Sequence, residues 1–203
     1  MASTPDNEAT PFIGLTGSIA AGKSEALAAF GRHGAATLSA DAVVHELLGG
    51  ERMRDLLVGR WGAEVAPQGA VDRDRIGAIV FERPDELAWL ESTLHPLVAE
   101  RIVGWRAGLD PTVPLAVVEI PLLFETGLEP AFDATVTITA PERLRVERAG
   151  VRGTSELEAR AGRQLPEDEK ARRATHVISN DDGIDELDRA IGRLVAELSR
   201  GTP

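Results

Sequence analysis

The stretch Phe12-Ile13-Gly14-Leu15-Thr16-Gly17-Ser18-Ile19-Ala20-Ala21-Gly22-Lys23-Ser24 sets the reading of everything around it. A short apolar run, Phe12 to Thr16, meets a turn at Gly17. From Lys23 to Phe30 the composition changes to helix-forming Ala and Leu and ends near Gly31 and Gly34. The order is strand, loop, helix. Residues Gly17 to Ser24 fit G-x-x-x-x-G-K-[ST], in the strand-to-helix context that gives this pattern its meaning. Glycines let the backbone N–H groups wrap a phosphate, and the helix N-terminus adds its positive end. Lys23 reaches the outer phosphates, and Ser24 offers a hydroxyl to Mg²⁺. A chance glycine-rich turn would not account for the flanking strand and helix. The chain has only two lysines among its 22 basic residues, and one is Lys23. Where composition favours arginine, a lysine at this point marks a need for a compact point charge.

Working outward, Ala35 to Leu38 reads as a second strand, followed by a helix from Asp41 to Leu48 that stops at Gly49-Gly50. Leu115 to Ile120 is β-branched and nearly continuous, as a strand buried on both faces should be; Ala134 to Ile138 is a fourth strand and His176 to Ser179 a fifth. Asp182 or Gly183 opens a last amphipathic helix carrying Ile184, Leu187, Ile191, Leu194 and Leu198. Strands alternating with helices predict a doubly wound parallel five-stranded α/β sheet. Between strands two and three, only helices are signalled: Arg52 to Trp61, Asp72 to Phe81 with Asp72 as N-cap, and Pro84 through Trp105. Residues 45–106 then form a helical insertion over the strand ends, where α/β sheets bind ligands. Residues 141–175 form a second helical block, with a capping box at Ser155 and Glu158. The core is 12–44, 107–140 and 176–203, and residues 1–11 are a loose tail.

Composition narrows the function. The 203 residues hold 33 acidic against 22 basic groups, a net charge of −11, and no cysteine. Absence of Cys excludes disulfides, thiolate-bound metals and thiol nucleophiles. The net charge argues against a general nucleic-acid binder. No signal peptide is legible in the first eleven residues. The longest apolar stretch, Pro114 to Phe124, contains Glu119 and is shorter than the ~18 residues a membrane span needs. The expectation is a soluble cytoplasmic protein without a membrane partner, a monomer or weak homo-oligomer. From Pro141 to His176 eight Arg and one Lys face seven acidic residues, a local excess of +2. That run reads either as solvated helices laced with ion pairs or as an arginine-bearing lid over a polyanion. A guanine-reading N-K-x-D is missing, since neither Asn7 nor Asn180 precedes a Lys. A small kinase with a helical acceptor-binding insertion and an Arg-rich lid fits best.

Further pieces are Ala40-Asp41, Leu94-His95-Pro96-Leu97-Val98, Ile120-Pro121-Leu122-Leu123-Phe124-Glu125-Thr126-Gly127-Leu128, Glu147-Arg148 and Val177-Ile178-Ser179-Asn180. In this order and spacing, the chain from Phe12 to about Leu198 resembles the dephospho-coenzyme A kinase family. The resemblance implies a P-loop kinase fold and ATP-dependent phosphorylation of the ribose 3′-hydroxyl of dephospho-CoA, with Mg²⁺ accompanying ATP. It assigns catalysis to Lys23, Asp41 and Arg148. Gly17, Ser18, Ile19, Ala20, Ala21, Gly22, Lys23, Ser24, Glu25, Arg152 and Asn180 fall to ATP. Asp41, His95 and Leu122 fall to the acceptor, and Ser24, with Glu119 in the outer coordination sphere, to the metal.

Several of these residues have a structural alternative. Asp41 can be the N-cap of its helix, His95 a packed helix residue, and Asn180 a turn residue. Trp61, Trp89 and Trp105 read as anchors of the insertion's core, and Arg160, like Arg152, as a lid surface charge. The chain also departs from the family pattern. Ser39 stands where an acid is usual, and Ala20 replaces a loop glycine, which holds only if φ there is negative. Glu25 brings an anion to the first helical turn, favouring the helix dipole while weakening the local attraction for phosphate. Another small-molecule P-loop kinase, or a nucleotide-binding module without turnover, are the competing readings.

Overall fold

The computed structural model describes residues 10–150 and 162–200. Its strands are β1 (Phe12–Gly17), β2 (Ala36–Ser39), β3 (Ala116–Glu119), β4 (Ala134–Thr139) and β5 (His176–Ser179), joined in one sheet in the order β2-β3-β1-β4-β5. Its helices, among the described residues, are α1 (Lys23–Arg32), α2 (Ala40–Gly49), α3 (Glu51–Trp61), α4 (Arg73–Glu82), α5 (Pro84–Ala107), α6 (Glu142–Gly150), α7 (Glu167–Arg173) and α8 (Ile184–Leu198). The capping box at Ser155 and Glu158 lies outside the described residues, as do Arg152 and Arg160.

β1 is the central strand. It runs parallel to β3, from Phe12 opposite Ala116 to Leu15 opposite Glu119, and parallel to β4, from Ile13 opposite Ala134 to Gly17 opposite Ile138. β5 continues the parallel sheet beyond β4. Every residue of β1 and β3 is buried, which is why their sequences show apolar runs instead of alternation. One core joins Ile13, Leu15, Val117, Val136 and Ile138 of the sheet, with Leu115 just before β3, to Phe30 of α1 and to Leu187, Ile191, Leu194 and Leu198 of α8. Each such side chain contributes about 1.5–3 kcal/mol on full burial, so this layer outweighs any single polar contact of the fold. The 187-191-194-198 spacing is the apolar stripe that holds α8 on the sheet.

The chain divides into two compact units, Met1–Leu38 with Gly108–Pro203 and Ser39–Ala107. The second unit is helical and begins at Ser39, ahead of the boundary at 45 read from the sequence. The reason is that α2 packs on α3 and α5. Its Val44, Leu47 and Leu48 join Met53, Leu57, Ile76, Leu90 and Leu94 in that unit's core. Asp72 caps α4, accepting from the N–H groups of Asp74 and Arg75 at 3.1 and 3.2 Å. α5 continues through Pro96. Trp61 and Trp89 meet edge to face with centroids 5.3 Å apart, Arg60 lies over Trp89, and Trp61 Nε1 donates to Glu86 at 2.9 Å. The Arg60 hydrogen bond, and after it that of Trp61, holds the Glu86 carboxyl below the usual glutamate range. Trp105 is half-buried and outside this cluster, so two of the three tryptophans are core anchors. No helix among the described residues is long and apolar enough to cross a membrane.

Candidate active site

β1 ends at Gly17 and α1 starts at Lys23, so the loop between them is built by Ser18 to Gly22. Its two pattern glycines have separate physical reasons. Gly17 has φ +152°, and a Cβ there would strike the Ile138 carbonyl of β4. Gly22 is the left-handed N-cap of α1 at φ +104°, and a Cβ there would strike the Asn180 side-chain amide. The condition set for an alanine at position 20, a negative φ, is not met: its φ is +60°. An alanine in this region stores about 1–3 kcal/mol and persists only where neighbours over-determine the backbone. Those neighbours are visible on both sides. The Ile19 N–H donates to Gln164 Oε1 at 3.1 Å, and Asn180 Nδ2 donates to the Ala21 carbonyl at 2.8 Å.

Lys23 Nζ donates to the carbonyls of Gly17 and Ser18 at 3.0 and 3.1 Å, which keeps the ammonium over the loop. Ser24 is exposed in the first turn of α1. Glu25 is paired with Arg32, whose guanidinium donates to it at 2.9 Å and also pairs with Asp188. The anion feared from the sequence is thereby partly neutralised.

Arg148 of α6 faces this loop. With Ala20, Gly22, Lys23, Ser24 and Glu25 it lines a hollow of about 260 Å³. The guanidinium Nη2 donates to the Asn180 carbonyl at 3.3 Å; Nη1 is buried without a hydrogen-bond partner among the described residues. A buried guanidinium nitrogen left in this way costs more than an ordinary missing hydrogen bond, and an anion in the hollow would satisfy it. Asn180 is 5% exposed, with its own N–H on the Thr139 carbonyl at 2.8 Å. It is thus a strut for the loop and not only the turn residue it resembles in sequence.

The structure brings together the loop, Arg148 and Asn180. Asp41 is exposed in the first turn of α2, and Ser39 holds the N-cap position, its hydroxyl accepting from the Ala42 N–H at 3.5 Å. The cap reading of Asp41 is therefore wrong. The departure at Ser39 acquires a structural reason. His95 is exposed on α5, Leu122 is half-buried in the turn after β3, and Glu119 is buried at 6% exposure. Among the described residues no group of three or more His, Cys, Asp or Glu forms a metal cage.

Sequence reasoning missed Gln164, Glu125 and Lys170. Lys170 is fully buried, 2.8 Å from Glu125, with Nζ donating to the Pro121 carbonyl at 3.1 Å. The signal that could have found it was the scarcity of lysine, since Lys170 is the second of the two.

Residues 11–186 match the family model described as dephospho-CoA kinase. The dephospho-CoA kinase of Jannaschia sp. (strain CCS1) is 38% identical over 202 residues, covering 94% of this chain and 98% of the relative. That of Anaeromyxobacter dehalogenans (strain 2CP-C) is 40% identical over 195 residues, covering 93% and 92%. The crystal structure of TT1252 from Thermus thermophilus is similar at a TM-score of 0.80 and 34% identity, covering 94% of this chain and 99% of that one. With its fold, its phosphate loop and these matches along nearly its whole length, the chain belongs to the dephospho-CoA kinase family.

Proposed function

We propose that this protein transfers the γ-phosphoryl group of ATP to the ribose 3′-hydroxyl of dephospho-CoA, giving coenzyme A and ADP. The observation that carries the reading is the buried Arg148 nitrogen, without a hydrogen-bond partner among the described residues, on a hollow lined by the glycine loop and Lys23. The oxygen of the 3′-hydroxyl attacks the γ-phosphorus, and the bond to the β–γ bridging oxygen breaks, leaving that oxygen on ADP. Asp41 takes the hydroxyl proton. Lys23 and Arg148 neutralise the charge spread over the phosphoryl oxygens, and the loop amides hold the phosphates in place. His95 and Leu122 belong to the acceptor side, Arg152 to ATP. Residues 141–175 act as the lid over ATP, and 45–106 as the acceptor-binding insertion.

The donor set suits Mg²⁺, which takes few protein ligands and keeps waters and substrate phosphates: the exposed Ser24 hydroxyl would hold it, with Glu119 behind, and it would supply charge neutralisation at the phosphates. The partners are small molecules. A monomer or weak homo-oligomer without nucleic-acid partners accords with the net charge of −11.

The test is ADP release with dephospho-CoA beside adenosine, AMP and shikimate. Turnover with dephospho-CoA alone, and a product carrying a 3′-phosphate, is the expected result. Equal or faster turnover with another acceptor overturns the reading.

A further inference from the structure

Outside the phosphate hollow, polar side chains, two of them fully buried, gather at one carbonyl. Pro121, just beyond β3, accepts from Lys170 Nζ at 3.1 Å, Thr16 Oγ1 at 3.3 Å and Gln164 Nε2 at 3.4 Å. Glu125 pairs with Lys170 and also accepts the Leu165 N–H at 2.8 Å. A fully buried lysine is costly beside an apolar side chain of similar volume unless its geometry is fully used. Here the geometry fixes the turn after β3 to the segment beginning at Gln164. The Gln164 amide spans the remaining gap: its nitrogen is on Pro121 and its oxygen takes the Ile19 N–H of the phosphate loop. The next residue, Ala20, stands at φ +60°. Without a restraint, an alanine there relaxes to negative φ and the loop amides lose their aim.

We propose that Gln164 is a positioning residue for phosphoryl transfer: it clamps Ile19, and with Asn180 on Ala21 it holds the left-handed Ala20 in the phosphate-binding conformation. The Lys170–Glu125 pair holds the clamp through Pro121. In this sequence the clamp replaces the freedom a glycine at position 20 would give. The inference rests on the kinase reading above.

The experiment compares Gln164→Ala in the parent chain and in an Ala20→Gly chain, each against its own background. Steady-state kinetics for ATP and dephospho-CoA, affinity for a non-hydrolysable ATP analogue, and amide exchange of Ile19 are measured. In the parent chain, Gln164→Ala should speed Ile19 exchange and lower kcat/KM for ATP about ten-fold, the worth of one well-placed hydrogen bond. The KM for dephospho-CoA should stay within about two-fold. In the Ala20→Gly chain the same substitution should cost at most about three-fold, because glycine has little strain to release. Equal losses in both backgrounds, or unchanged ATP kinetics in the first, overturn the clamp. Should Gln164→Ala fold poorly, Gln164→Met keeps the volume without the amide and is read by the same comparison. If the parent does not phosphorylate dephospho-CoA, the kinase reading falls; analogue affinity and Ile19 exchange in the two backgrounds still decide the clamp.

Discussion

In the sheet unit the ties that hold the phosphate loop run from side chain to backbone: Lys23 to Gly17 and Ser18, Asn180 to Ala21, Gln164 to Ile19. In the helical unit the tryptophan cluster is tied side chain to side chain, Arg60 and Trp61 to Glu86. The two patterns have different consequences. A tie to backbone fixes the path of a loop whose amides are themselves the binding groups, so cutting it alters ligand recognition. A tie between side chains fixes how α3 meets α5, so cutting it alters stability and leaves chemistry alone.

The largest effect that tests this contrast is Lys23→Ala. Turnover should vanish and ATP binding weaken by about 1.5–3 kcal/mol, the value of a charge-assisted phosphate contact, while thermal unfolding moves little. Titration calorimetry and steady-state kinetics check it, and near-parental kcat would remove the loop's functional standing.

Next is Asp41→Asn, which should lower kcat about 10²–10⁴-fold with KM comparatively untouched, as for loss of a proton acceptor. Ser39→Ala sharpens the comparison, because removing the cap should cost about 1 kcal/mol of stability and spare kcat. A correctly folded Asp41→Asn with parental kcat leaves Asp41 as only a first-turn acid favouring the helix dipole.

Gly22→Ala should be milder. The left-handed backbone and the collision with Asn180 should together cost about 1–3 kcal/mol, and a raised KM for ATP should accompany the lower unfolding temperature. A stability loss with unchanged ATP KM would break the link between loop path and recognition.

The smallest effect belongs to the tryptophan cluster. The Glu86 carboxyl titrates below its ordinary 4.5 when folded, so its stabilising contribution is complete above that value and is lost as pH falls through the lowered folded one. Acid titration of tryptophan fluorescence should show this loss in the parent and a flatter response in Glu86→Gln. Neutral-pH kinetics should be unchanged; a kcat change there would contradict the division between the two regions.

The sequence by itself determined the five strands, the phosphate loop and the helical character of 52–105, because contiguous residues carry those signals: buried runs, a G-x-x-x-x-G-K-S spacing and apolar stripes. Lys23 comes with that spacing, whereas Arg148 is singled out only by the family resemblance; both line one hollow. Tertiary structure alone decided that Ser39 and not Asp41 caps α2, that α2 belongs with the helical unit, and that Ala20 is left-handed. It alone brought Gln164 to Ile19, 145 positions away, and Asn180 to Ala21, 159 away. The physical reason is range. Propensity and periodicity act over a turn or two of chain, whereas a backbone amide's partner, and the strain a loop can hold, depend on whichever segment the packed sheet places beside it.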